Sequence, residues 1–99
     1  MRPLHWATLD KRRPVLVLTR EVMVSRMSTV TVAPVTRTVH GIATEVPVGS
    51  RNGLHQPSAV KCDQITSIPI EQLHEACGFL LDAQELALHE AIQAAFDLV

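Results

Sequence analysis

Hydrophobic and polar positions along most of the chain follow the pattern of short β-strands. Arg13–Thr19 has the sequence RPVLVLT, a continuous aliphatic run typical of a strand buried on both faces. Thr29–Thr36 (TVTVAPVT) alternates with a period of two residues. Within it, Pro34 indicates a sheet edge or a bulge, because proline has no backbone N–H to donate. Further strands are predicted at Pro3–Leu9, Thr44–Val48 and Ser58–Ile68.

Two stretches depart from this β pattern. Residues 20–28 are predicted to be irregular chain or one helical turn, with Met23 and Met27 as packing residues. Near the end of the chain, Asp82 followed by Glu85 has the spacing of an N-cap and capping box. An apolar stripe with helical spacing follows at Leu88, Ile92, Ala95, Phe96 and Val99. We therefore expect a mainly β fold, a compact β-barrel closed by a C-terminal α-helix.

The composition fits a single folded domain over residues 1–99. Hydrophobic residues make up 46% of the chain and charged residues 19%, which excludes a disordered tail. The longest aliphatic run is far shorter than the roughly 20 residues of a membrane-spanning helix, so no membrane association is expected. The first residues lack an export signal, so Cys62 and Cys77 are expected to be reduced thiols of a cytoplasmic protein. Because so small a chain has a thin core, a homodimer is expected.

The net charge of −1 conceals an asymmetry between the two halves of the chain. Residues 1–53 carry eight lysines and arginines against three acidic residues, whereas residues 54–99 carry one lysine against seven acidic residues. A basic half can present an anion-binding face even when the total charge is near zero. Solvated charges scattered over the surface fit the same composition, so charge alone leaves both interpretations open.

Most familiar catalytic and metal-binding motifs are missing from the sequence. It has neither a phosphate-binding glycine loop nor a serine-hydrolase elbow. His74 and Cys77 have a metal-like spacing but lack a second ligand pair, so a strand-end histidine and a buried cysteine are the favoured interpretation. Neither a metal nor a cofactor is therefore expected.

Cations and hydroxyls are concentrated at two predicted strand ends. Arg13 begins the buried strand, and Thr36 ends the alternating one. If these strands pair antiparallel, a guanidinium and a hydroxyl meet at one point. That combination suits a phosphodiester, because arginine binds phosphate bidentately and stays charged. The alternative is that both residues merely occupy exposed strand ends.

Four segments, in order, resemble the MazF/PemK toxin family. They are RPVLVL at Arg13–Leu18, VAPVT at Val32–Thr36, ATEV at Ala43–Val46 and SAVKCDQITSI at Ser58–Ile68. The resemblance implies a compact SH3-like barrel with helices that acts as a homodimer. It further implies metal-independent, sequence-selective cleavage of single-stranded RNA, with growth inhibition that a cognate antitoxin counters.

Carried over by position, the resemblance assigns Arg13 and Thr36 to the catalytic pair and Gln64 to a motif near the RNA groove. His40 is a possible proton acceptor, because a guanidinium holds its proton too tightly for that role; it is otherwise a solvated loop residue. The remaining predicted RNA-binding residues are Lys11, Arg12, Arg37, Thr38 and His40.

The chain departs from the family pattern between its first two predicted strands. Asp10-Lys11-Arg12 replaces a longer glycine-rich loop, which implies a more open groove. Such a groove could admit mRNA and also RNA presented on a fold, such as a tRNA or rRNA loop.

Two other classes of function stay open at this point. Related barrels among toxins bind DNA gyrase without catalysis, and a non-enzymatic SH3-like binding module is a third interpretation. The Arg13 and Thr36 pair favours the ribonuclease, since a gyrase-binding toxin has no need of a phosphate-directed arginine beside a threonine.

Overall fold

The computed structural model describes residues 1–98, which form seven strands and two α-helices. The strands are β1 (Arg2–Thr8), β2 (Arg12–Val17), β3 (Thr29–Thr36), β4 (Glu45–Val48), β5 (Ser58–Lys61), β6 (Thr66–Pro69) and β7 (Leu73–Leu80). The helices are α1 (Glu21–Val24) and α2 (Glu85–Phe96). All strand pairs are antiparallel in the order β4-β5-β3-β2-β1-β7, with β6 also paired to β3. The sheet curls into a half-barrel, which confirms the predicted mainly β class with a C-terminal helix.

Two clusters of buried hydrophobic side chains form the core. The first includes α2 and contains Leu4, Leu16, Ala33, Val35, Val46, Val48, Val60, Cys62, Leu80, Leu88 and Ala91. The second contains Ala7, Val15, Val17, Val30, Val32 and Ile68. Leu16 belongs to the first cluster and its neighbours Val15 and Val17 to the second. Strand β2 is therefore buried on both faces, as its continuous aliphatic run predicts.

Pro34 lies within the central strand and in regular register with β2, so the expectation of a sheet edge or a bulge is wrong. Strand β3 pairs with β2 on one side, and on the other side with β6 along Thr29–Val32 and then with β5 at Val35. The backbone C=O of Thr31 accepts hydrogen bonds from the chain at the end of β2, so the backbone groups of Thr31 face β2. Along a strand, the backbone N–H and C=O groups of successive residues point to opposite sides, so those of Pro34 point away from β2. The missing N–H of Pro34 therefore faces the gap between β6 and β5, where no ladder bond is lost.

The single strand predicted at Ser58–Ile68 is wrong, because the chain breaks into β5 and β6. Between them, Cys62–Gln64 forms a short 3-10 turn that packs against α2. Burial of Cys62 in the first core cluster fixes this turn. Tertiary packing thus overrides the local β preference, and the two strands pair with opposite ends of β3.

The C-terminal helix forms, but its predicted start is wrong. Asp82 begins a 3-10 turn and makes no side-chain cap. Instead, the Gln84 side chain accepts a hydrogen bond from the Leu81 N–H at 2.9 Å. Along the predicted stripe Leu88 is buried but Phe96 is 52% exposed; Val99 lies outside the described residues. Within the described chain, neither helix has the length and apolar character needed to cross a membrane.

Two glycines hold the turn after β4 against β7. Gly53 has a φ of +90°, and a side chain there would come within 2.7 Å of the Cys77 carbonyl oxygen. A side chain at Gly78 would overlap the carbonyl oxygen of Asn52. The Asn52 side chain also donates to the Phe79 carbonyl at 2.9 Å. This contact fixes the position of the loop that follows, residues 54–57.

Candidate active site

A groove of about 530 Å³ opens where the start of β2, the end of β3 and the loop before β5 meet. Val15 pairs with Pro34, and extending that register by two residues places Arg13 opposite Thr36. The groove is lined by five of the residues predicted from the sequence, which are Lys11, Arg12, Arg13, Thr36 and Arg37. Antiparallel pairing therefore brings the guanidinium and the hydroxyl to one site.

The Arg13 guanidinium forms a two-pronged ion pair with Asp10. Its Nε donates to Asp10 Oδ1 at 3.0 Å and its Nη2 to Oδ2 at 3.1 Å. The hydrogen bond from Arg13 lowers the pKa of Asp10 from 3.8 to about 2, and the same bond raises the pKa of Arg13. A phosphate presents two oxygens in much the same way as this carboxylate. Arg13 is thus a permanent cation with its fork already set for an oxyanion.

The Thr36 hydroxyl is only weakly engaged in the free protein. It donates to the Thr38 carbonyl oxygen at 3.3 Å, and its side chain is half-buried. Beyond it, Arg37 Nη1 donates to Gln56 Oε1 at 3.4 Å, and the Ser58 hydroxyl donates to the Gln56 carbonyl at 3.0 Å. These contacts tie the end of β3 to the loop before β5, while the Thr36 hydroxyl stays able to turn towards a ligand.

One wall of the groove was not predicted from the sequence. Leu54, His55 and Gln56 line it from the loop before β5, and Trp6 lines it from β1. His55 is the one imidazole among the described residues that line the groove. The sequence signal was limited to Asn52-Gly53, which predicts a turn but not the surface against which the loop folds.

Three residues predicted to bind RNA do not line the groove. Thr38 contributes its carbonyl to the Thr36 hydroxyl. The His40 backbone N–H donates to the Glu45 carboxylate at 3.1 Å. Gln64 is exposed on the 3-10 turn that packs against α2. Their roles in RNA binding stay predictions.

A buried ion pair anchors the loop that follows β3. Lys61 donates to Glu45, and their side chains are only 5% and 2% exposed. Glu45 also accepts the backbone N–H of Gly41 at 2.9 Å. The hydrogen bond from Lys61 lowers the pKa of Glu45 against the opposing effect of burial. The carboxylate is therefore ionised and holds residues 40–41 in place.

Neither cysteine forms a disulfide, and neither thiol is activated. Burial raises the pKa of Cys62 to about 11 and also raises that of Cys77. The His74 ring hydrogen bonds with the Thr8 hydroxyl at 2.8 Å. Among the described residues there is no cluster of three metal-ligating side chains.

Comparison with known proteins identifies the family. The sequence profile of PemK-like, MazF-like toxins of type II toxin–antitoxin systems matches residues 6–96. The chain belongs to this family. Endoribonuclease MazF3 of Mycobacterium tuberculosis is 59% identical over 98 residues, which cover 99% of this chain and 95% of that protein. The predicted family is therefore confirmed, and the alternative of a gyrase-binding toxin is not supported.

Two solved structures share the fold. The Mycobacterium tuberculosis toxin MazF-mt6 aligns with a TM-score of 0.96 at 58% identity, over 99% of each chain. An endoribonuclease from a mycobacterial species, solved with its cognate antitoxin, aligns with a TM-score of 0.85 at 20% identity, over 98% of this chain and 93% of that one. The second match shows the fold alone.

Proposed function

We propose that this chain is the endoribonuclease toxin of a type II toxin–antitoxin pair and cleaves single-stranded RNA in the cytoplasm, inhibiting translation and growth. The observation that carries the proposal is the groove that joins the Arg13 fork and the Thr36 hydroxyl to three further cations. The 59% identical relative is itself named an endoribonuclease, which supports the same activity.

The chemistry requires little of the protein, because RNA supplies its own nucleophile. The 2′-oxygen forms a bond to phosphorus, the bond from phosphorus to the 5′-oxygen breaks, and the products end in a 2′,3′-cyclic phosphate and a 5′-hydroxyl. Negative charge grows on the non-bridging oxygens as phosphorus becomes five-coordinate. The Arg13 fork and the Thr36 hydroxyl stabilise that charge, and a well-aimed donor of this kind accelerates such reactions by about 10²–10³-fold.

Two protons also have to move, one from the 2′-hydroxyl and one to the 5′-oxygen. Arg13 cannot accept the first, since its ion pair with Asp10 raises an already high pKa. His55 lines the same groove as Arg13 and Thr36, whereas His40 does not. An imidazole can both accept and donate a proton. We therefore assign to His55 the removal of the 2′-hydroxyl proton, and the departing 5′-oxygen takes its proton from solvent water.

The decisive experiment is the digestion of a labelled RNA pool by purified protein in EDTA. Mapping the new termini should reveal cleavage at a preferred sequence, with cyclic phosphate and 5′-hydroxyl ends. His55→Gln should lower the rate while leaving the cleaved sequence unchanged. Products with 5′-phosphate ends, or an activity that EDTA abolishes, would contradict this mechanism.

The proposed assembly is a homodimer whose antitoxin covers the RNA groove. An acidic antitoxin segment that folds on binding suits a rim formed by Lys11, Arg12, Arg13 and Arg37. Charge reversal at Arg12 and Arg37 should weaken antitoxin binding, whereas reversal at Arg26, outside the groove, should not. Sedimentation that shows only monomer at micromolar concentration would contradict the dimer.

A further inference from the structure

The groove contains the chain's one tryptophan, which the proposed catalysis does not use. Trp6 lies on β1 opposite Pro14 of β2 and lines the groove beside Leu54. Its side chain is half-buried, although Leu4, on the same face of β1, is completely buried. A large aromatic ring is therefore within reach of a ligand in the groove.

A cation covers this ring in the free protein. The Arg12 guanidinium carbon lies 5.0 Å from the centre of the Trp6 ring, and Arg12 Nη2 donates to Glu75 Oε1 at 2.8 Å. The Arg12 and Glu75 side chains are 52% and 66% exposed. Exposed ion pairs are weak and screened by salt, so RNA phosphate can draw Arg12 away from this position.

A bulge in β7 accounts for the position of Glu75. Between Ala76 and Leu73, β7 has one residue more than the stretch of β1 that faces it, so Trp6 has no direct partner there. Bulges redirect side chains and are frequent beside active sites. Here the bulge carries the carboxylate that holds Arg12 over the ring.

We propose that Trp6 is a stacking platform for one unpaired base of the RNA and that Arg12 is its displaceable cover. This inference rests on the proposed function and names a base-binding subsite within the same groove. The partner of Trp6 on β2 is Pro14, the residue next to Arg13. Trp6 and Arg13 both line the groove, so the stacked base belongs to the same bound RNA segment as the phosphate that Arg13 holds.

The pairing of an aromatic ring with surrounding cations suits single-stranded nucleic acid. Every base has a π-face that can stack on an indole, and cations along a groove bind the backbone. When the base occupies the ring, Arg12 exchanges the Glu75 carboxylate for a phosphate oxygen, another anionic acceptor for its guanidinium. One side chain thereby protects the platform before binding and holds the backbone afterwards.

The test uses short RNAs that contain the cleaved sequence, with a 2′-O-methyl group at the cleaved nucleotide to prevent the reaction. One base at a time is removed to leave an abasic position, and the dissociation constant is measured by anisotropy. For the wild type, we expect the removal of one particular base to raise the Kd about tenfold, an increase that we call the abasic cost. In Trp6→Leu that cost should fall below about twofold, because the platform is gone. Trp6→Phe should retain most of it.

Two further variants and one spectroscopic signal sharpen the test. Phe79→Leu removes an exposed aromatic ring outside the groove and should keep the full abasic cost. Arg12→Gln should flatten the salt dependence of binding but keep the abasic cost, since it removes a cation and not the ring. Because Trp6 is the sole tryptophan, its fluorescence should be quenched when intact RNA binds and less when the critical base is missing.

The outcomes separate this inference from the proposed function. If the wild type cleaves RNA but the abasic cost persists in Trp6→Leu, or saturating RNA leaves the fluorescence unchanged, the platform is wrong and the ribonuclease stands. If the wild type neither binds nor cleaves RNA, both fail. Should Trp6→Leu not fold, the wild-type fluorescence decides the matter.

Discussion

Two of the ion pairs in the described part of the chain have similar chemistry but opposite environments. Asp10 and Arg13 meet at the surface, where their side chains are 69% and 24% exposed, and Arg13 lines the groove. Glu45 and Lys61 meet inside the fold, where theirs are 2% and 5% exposed. In both pairs the cation lowers the pKa of the carboxylate. Exposure decides whether such a pair can exchange one partner for another ligand.

The exposed Asp10–Arg13 pair is suited to exchanging one partner for a ligand, whereas the buried Glu45–Lys61 pair is suited to anchoring a loop. Water and salt can replace the contacts of Asp10, so Arg13 can pass from a carboxylate to a phosphate. Glu45 has no such replacement, because its carboxylate is buried and also accepts the backbone N–H groups of His40 and Gly41. Breaking the buried pair leaves a charge without a partner. In the proposed mechanism the first pair serves the reaction, whereas the second anchors residues 40–41.

The largest expected effect follows from removing the exchangeable cation. Arg13→Gln should lower kcat/KM for RNA cleavage by about 10²–10³-fold, because the growing charge on the phosphate loses its principal donor. The thermal midpoint should change by less than about 3 °C, since only an exposed ion pair is lost. Single-turnover cleavage and thermal unfolding of the same preparation measure both quantities.

Arg26→Gln is the matched control, because Arg26 is exposed and lies outside the groove. It should cleave RNA at close to the wild-type rate. If Arg13→Gln retained activity within about threefold of this control, charge stabilisation by Arg13 would be refuted.

Breaking the buried pair should have the converse effect, a large loss of stability. In Lys61→Met the Glu45 carboxylate stays buried without its cation, so the thermal midpoint should fall by at least about 10 °C. The double variant Glu45→Gln/Lys61→Met removes both charges but keeps an oxygen for the Gly41 N–H. We expect it to recover at least about half of the loss.

Lys11→Met is the control, since it makes the same substitution at an exposed lysine. Its thermal midpoint should stay within about 3 °C of the wild type. A double variant no more stable than Lys61→Met would mean that the loss came from packing around the lysine stem and not from the unpaired carboxylate.

The sequence predicts the half of the site that local patterns determine. The aliphatic run of β2 and the alternation of β3 place Arg13 and Thr36 at strand ends, and antiparallel pairing then brings them together. The rest depends on contacts between distant segments. His55 reaches the groove because Gly53 and Gly78 let its loop pack against β7, and no local periodicity encodes that contact.

The same limit explains the wrong strand predictions. The segment Ser58–Ile68 has a consistently β-forming sequence, yet the turn that breaks it forms because Cys62 is buried against the helix-bearing core. Strand β7 went unpredicted because its burial is irregular and its sequence lacks clean alternation. Contacts with segments distant in sequence determine both the turn and β7, and a single sequence does not reveal which segments these are.

A smaller effect is expected from the carboxylate that competes with RNA for Arg13. Asp10 stays ionised at neutral pH because its pKa is about 2, so its charge repels an incoming phosphate and occupies the fork. Asp10→Asn should therefore tighten binding of the 2′-O-methyl RNA about threefold. If Asp10 instead positions the fork, kcat should fall and Kd should stay unchanged.

The same variant changes stability in a defined pH range. A lowered pKa means that the Asp10 ion pair stabilises the fold above about pH 4 and that this contribution is lost as the pH falls towards about 2. Asp10→Asn should remove this part of the acid dependence. Acid titrations of the two proteins that superimpose would show that the pair does not contribute to folding.

The smallest effect should come from Lys11, which forms no ion pair with another of the described residues. Lys11 lines the groove, and neutralising one phosphate changes the slope of log Kd against log salt by about 0.7 on single strands. Lys11→Gln should lower the slope by that amount and weaken binding similarly for every RNA sequence, with the cleaved bond unchanged. Arg26→Gln should leave the slope as it is. If Lys11→Gln instead altered the preferred cleavage sequence at an unchanged slope, Lys11 would be contacting a base, and the division between phosphate-binding cations and the Trp6 platform would be wrong.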